Sequence, residues 1–104
     1  MKIVRVTYTT KPEYAAANTE NIKTVMNDLQ RLAHPGIFYH ACLNPDGRTF
    51  VHTAFFKADE DEKALFDLVS FQRFQAQLKS SGPEAPPRQE LLTLAGWSNN
   101  IFNL

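Results

Sequence analysis

The sequence predicts an α+β fold of the ferredoxin-like kind, β-α-β-β-α-β, in which a four-stranded antiparallel sheet carries its helices on one face. Three observations predict it: an alternating β-branched run at the start, two strand-like runs around Asn44-Pro45-Asp46-Gly47, and helical periodicity on either side of that hairpin. At 104 residues the chain has the size of one domain, so residues 1–104 are expected to form a single unit, with 98–104 as a C-terminal tail.

Lys2–Thr9 alternates as a strand, with Val4, Val6 and Tyr8 on one side and Ile3, Arg5, Thr7 and Thr9 on the other. Pro12 ends it. From about Ala15 to Leu32, the residues Ile22, Val25, Met26, Leu29 and Leu32 draw one apolar helical stripe, which Pro35-Gly36 is expected to stop. Ile37–Leu43 and Thr49–Lys57 form the hairpin. Pro45 suits the first central position of a type I turn, Asp46 the second, and Gly47 the left-handed position of a bulge. In such a three-residue loop Asn44 opposes Arg48, which sets His40 across from His52, Cys42 from Phe50 and Phe38 from Ala54.

Asp59–Asp61 supply acids for a second helical start, with Ala64, Leu65, Leu68 and Val69 as its stripe. Ser70 is expected to cap a further helix bearing Phe71, Phe74 and Leu78, and Gln89–Ser98 to form the fourth strand. On this register the sheet face away from the helices carries Phe38, Phe50 and Phe56. Each phenylalanine can bury about 150–250 Å². A monomer seldom exposes so large an apolar patch, so two sheet faces are expected to pack together about a two-fold axis as a homodimer.

Eleven basic and eleven acidic residues cancel without clustering, which argues against nucleic acid or an anionic membrane as partner. No apolar run approaches the ~20 residues of a membrane span, no signal-like segment is apparent, and a cytoplasmic location is expected. The lone Cys42 excludes an internal disulfide. No zinc pattern, phosphate loop or nucleophile elbow is present, so neither a metal nor another cofactor is expected.

His40 and His52, if paired across the hairpin, are the candidate catalytic groups, able to act as acid and base near neutral pH. Partly buried, hydrogen-bonded structural histidines are the competing reading, and two imidazoles alone make an incomplete metal site. Arg5 would hold an anionic group if it shares their face; an interface ion pair is the alternative. Phe50 belongs to the same face. Trp97 and Thr93, on one side of the expected fourth strand, could wall a pocket for a flat ligand or simply pack.

The strand order, together with RTFVHTAFF and the following ALFDLVSFQRFQAQL, resembles the dimeric α+β barrel superfamily. Within it the chain is similar to antibiotic-biosynthesis-monooxygenase-like proteins. The resemblance covers nearly the whole chain as a pattern. It implies paired sheets enclosing a barrel, and a cofactor-independent enzyme acting on a small aromatic or polyketide-like compound. A non-catalytic binder of a small aromatic or anionic ligand, or a structural dimer, is the alternative. Members of that group carry Glu and Trp late in the third strand and a His in the second helix. Ala54, Phe56 and a position near Asp67 stand there in this chain, which makes haem binding the weakest reading.

Overall fold

The computed structural model describes residues 1–102; Asn103 and Leu104, the end of the expected tail, lie outside the described residues. The elements are β1 (Lys2–Thr9), a 3-10 turn (Pro12–Tyr14), α1 (Ala15–Leu32), β2 (Ile37–Leu43), β3 (Thr49–Phe56), α2 (Asp61–Phe66), α3 (Val69–Ser81) and β4 (Ala85–Leu92). The strands form one antiparallel sheet in the order β2-β3-β1-β4. This is the ferredoxin-like arrangement that the sequence predicts. No helix of the described residues is long and apolar enough to cross a membrane.

α1 turns Val25 fully inward, with Ile22 and Leu29 packed beside it, as the stripe requires. The helix ends one turn before the expected Pro35-Gly36 stop has any effect. Ala33 adopts the left-handed conformation (φ 49°) and donates its backbone N–H to Leu29 O. Gly36 has a separate task, because a Cβ there would overlap the Asp61 carboxylate. That carboxylate accepts the Ala58 backbone N–H at 2.9 Å. Gly36→Ala should therefore push Asp61 off its donor and cost about 1–3 kcal/mol. An unchanged urea midpoint would contradict this close approach.

The hairpin loop is one residue longer than the turn residues suggest. Asn44 N–H donates to Thr49 O at 2.8 Å, so the strands close on Thr49 and not on Arg48. Asp46 is the cause. Its carboxylate accepts the backbone N–H groups of Arg48 and Thr49 at 3.0 and 2.9 Å, and the Thr49 hydroxyl at 2.5 Å. Gly47 does take the left-handed conformation, with φ 76°.

This lengthening shifts the register by one. Ala41 faces His52, His40 faces Thr53, and Phe38 faces Phe55. The expected His40–His52 pair therefore does not exist. A one-residue slip exchanges the faces of a strand, so Phe50, His52, Ala54 and Phe56 turn toward the helices. All four are buried, whereas Val51, Thr53 and Phe55 are half-buried. They join Val4, Tyr8, Val25, Leu65, Phe71, Phe74 and Leu78 in one core, so the helices cover a single face of the sheet.

The other face is less apolar than the expected register makes it. Of Phe38, Phe50 and Phe56, only Phe38 remains there. Three rows cross it: Phe38–Phe55–Ile3–Leu92, His40–Thr53–Arg5–Glu90 and Cys42–Val51–Thr7–Arg88. An apolar end thus borders a charged middle.

Two further elements depart from expectation. The expected stripe at 64–69 is broken by Leu68, which is extended and starts α3; Leu65 is buried but Val69 is 65% exposed. Ser70 lies inside the first turn and does not cap it. β4 begins at Ala85, ahead of the expected Gln89, because Pro86 and Pro87 are tolerated on an edge strand that pairs only with β1. It ends at Leu92, so Thr93 and Trp97 are not strand residues.

Candidate functional site

At the centre of the helix-covered face lies a buried imidazole. β3 points His52 inward, where only 5% of its surface remains exposed. Tyr8, from the neighbouring β1, places its hydroxyl 2.7 Å from Nε2. Tyr39, from β2 on the other side, places its hydroxyl 2.6 Å from Nδ1. Both ring nitrogens are thus held by phenols from the two flanking strands. Asn18, fully buried on α1, donates its side-chain N–H to Tyr8 Oη at 2.8 Å.

A phenol oxygen can accept twice, so two orders of protons satisfy these contacts with Asn18 donating. In one, the Tyr8 hydroxyl donates to Nε2 and Nδ1–H donates to Tyr39 Oη, which leaves the Tyr39 proton for another acceptor. In the other, Nε2–H donates to Tyr8 Oη and the Tyr39 hydroxyl donates to Nδ1. Asn18 Oδ1 has no partner within the protein.

Burial sets the protonation states. Removal from water pushes the His52 pKa down to about 4, with a smaller contribution from His40. Burial likewise raises both phenols above their ordinary value, partly offset at Tyr8 by the Asn18 hydrogen bond. At neutral pH the trio is uncharged, and the imidazole accepts a hydrogen bond at one nitrogen while it donates one at the other.

This trio walls a cavity of about 480 Å³, within the range of small-molecule sites. The sheet contributes Val6, Tyr8, Tyr39 and His52. α3 contributes Phe71, Phe74, Gln75, Leu78 and Lys79, and Pro83, Pro86 and Pro87 form the rim. The ring of Phe74 lies 5.5 Å from that of His52. A larger groove of about 600 Å³ runs between α1 and β2, and Tyr39 lines both.

No protein-family model and no curated protein matches the sequence. Solved structures do match the fold. A Nitrosomonas europaea protein provisionally named an antibiotic biosynthesis monooxygenase aligns at TM-score 0.78 and 15% identity, over 92% of this chain and 100% of its own. Rv0793 from Mycobacterium tuberculosis aligns at 0.78 and 13%, over 94% and 98%. SnoaB, a cofactor-independent oxygenase from Streptomyces nogalater, aligns at 0.69 and 13%, over 95% and 98%. The chain has the fold of the antibiotic-biosynthesis-monooxygenase-like proteins.

Within that monooxygenase-like fold, the sequence-based candidates are scattered. His52 sits at the trio, but His40 is exposed on the opposite face, its ring edge-on to Phe38 at 5.9 Å. Arg5 is also on that opposite face and cannot stand beside His52. It is ion-paired to Glu90, with Nη2 to Oε1 at 3.0 Å. Phe50 is core, stacked on Tyr8 at 5.5 Å, and reaches the outer groove but not the His52 cavity. Thr93 and Trp97 follow β4 and are exposed, Trp97 by 41%, so they wall no pocket with His52.

At the positions that the family resemblance singles out, Ala54 and Phe56 face the core, and Asp67 is ion-paired to Lys63 on the surface. Tyr8, Tyr39 and Asn18 are the polar residues that residue-type reasoning passes over. The signal for Asn18 was present, since it lies four residues before Ile22 and seven before Val25, on the buried stripe of α1. Among the described residues no group of three or more His, Cys, Asp or Glu side chains could hold a metal ion.

Proposed function

We propose that the chain is a single-domain, homodimeric, cofactor-independent oxygenase of the monooxygenase-like kind, acting on a small phenolic or polyketide-like aromatic. The observation that carries this reading is His52, buried and neutral, held at both nitrogens by phenols and facing an apolar cavity. With Nδ1 protonated, its Tyr39 partner has a proton to offer a ligand oxygen. In the proposed reaction an activated CH₂ beside the aromatic ring loses a proton to the unprotonated nitrogen of His52, which gives up its phenol hydrogen bond to receive it. The resulting carbanion gives electrons to O₂, a peroxide forms on that carbon, and its breakdown yields a ketone and water. The aromatic carbon is oxidised and O₂ is reduced.

The fold shared with SnoaB supports the reaction class, though a fold alone does not fix a function. The exposed Phe38 and Leu92, together with Phe55 on the open face, support pairing of two sheets.

The test is oxygen uptake with a tricyclic anthrone. Consumption of one O₂ per ketone formed, well above the uncatalysed rate, is the expected result. The complete hydrogen bonding and low basicity of His52 favour a second reading, binding without turnover. A rise in Tm with the anthrone and no added oxygen uptake would establish that reading and remove the enzymatic one.

A further inference from the structure

We propose that Lys79 makes the His52 cavity selective for aromatic ligands that carry an anionic group, a carboxylate at the end remote from the ring oxygen. This rests on the reading of that cavity as a small-molecule site. On α3, Phe71, Gln75 and Lys79 follow one another at four-residue spacing and therefore share a line along the helix. The lining changes along it from aromatic to amide to ammonium, and the ammonium end meets the proline rim.

Charge is what distinguishes this end. The titratable groups lining the cavity are Tyr8, Tyr39, His52 and Lys79, with no carboxylate among them. Burial keeps the phenols and the imidazole neutral at neutral pH. Lys79 is thus the one lining side chain with a full charge. Among the described residues it has no ion-pair partner. The nearest carboxylate along the chain, Glu84, is already held by both oxygens to Arg48 at 2.9 and 3.1 Å.

These facts order the ligand. Its hydroxyl or carbonyl meets Tyr39 and His52, where burial would penalise a charge. Its carboxylate meets Lys79, which is exposed and keeps the anion partly hydrated. A cation in the last turn of a helix also suits the helix dipole, so stability alone would not reveal this role.

The decisive experiment compares calorimetric binding of 2-naphthol, 6-hydroxy-2-naphthoate and its methyl ester to the wild type, Lys79→Met and Lys79→Arg. Methionine keeps the apolar stem and removes the charge. The wild type should bind the naphthoate about tenfold more tightly than the ester, an advantage that shrinks in high salt as screening predicts. Lys79→Met should erase that preference and leave naphthol affinity unchanged, and Lys79→Arg should restore it. Naphthol binding with no preference for the acid, or a preference that survives in Lys79→Met, overturns the role of Lys79 and spares the cavity. Failure of all three compounds to bind overturns both.

Discussion

Replacing His52 by glutamine should lower oxygen-dependent turnover by about 10²–10⁴-fold, the usual worth of a positioned proton acceptor. Glutamine still offers a donor and an acceptor to Tyr8 and Tyr39, so ligand binding should survive better than turnover. A variant that keeps wild-type turnover removes His52 from the chemistry.

The same substitution should alter acid stability. The folded state holds the His52 pKa at about 4, below its ordinary 6.5. Between those values the unfolded chain takes up a proton that the folded chain refuses. The stability contributed by a neutral His52 is therefore complete above pH 6.5 and is lost as pH falls toward 4. At 1.36 kcal/mol per pH unit the loss is about 3 kcal/mol. Urea unfolding at pH 7 and pH 4 should show the wild type losing about that much more than His52→Gln. Parallel losses in the two proteins would mean that the imidazole is not buried as described.

Phe50→Ala should cost about 3–5 kcal/mol. Phe50 is 2% exposed and stacks on Tyr8 with the rings 15° from parallel. Its removal leaves a void behind Tyr8 and loosens the phenol that holds Nε2. A drop in Tm of roughly 15 °C or more follows for a domain of this size, together with a loss of turnover. Phe38→Ala gives the contrast. Its ring is 44% exposed on the open face, so its loss should register mainly as weaker self-association at low protein concentration. If the two substitutions exchanged behaviours, β3 would face the other way.

That contrast bears directly on what the sequence could disclose. The order of elements is legible because alternation and helical spacing are repeated over many residues, so single exceptions do not disturb them. Which face of β3 looks inward depends on one loop residue. The turn chemistry of Pro45 and Gly47 fits a three-residue loop. Only the three hydrogen bonds that Asp46 accepts lengthen it, and a side chain's choice of partner is not written in residue type. β4 was displaced for a similar reason. Prolines speak against a strand in general, but not against an edge strand, and edge position is a property of the whole sheet. His52 was identifiable as a titratable group in a strand. Its true partners were not, because phenols and an amide resemble core filler until their oxygens and nitrogens converge.

The alternation of β3 also divides the ways in which this protein can change over generations. Odd-numbered positions from Val51 to Phe55 shape the surface shown to other molecules, and even-numbered ones from Phe50 to Phe56 build the core, in which His52 lines the chamber. Point substitutions can therefore explore new associations without disturbing the chemistry, or new ligands without disturbing the surface. A single inserted or deleted codon between Asn44 and Thr49 has no such privacy. It would turn the strand over, exchanging surface and chamber at one stroke, so descendants of this chain should vary freely in the letters of that loop and hardly at all in its length.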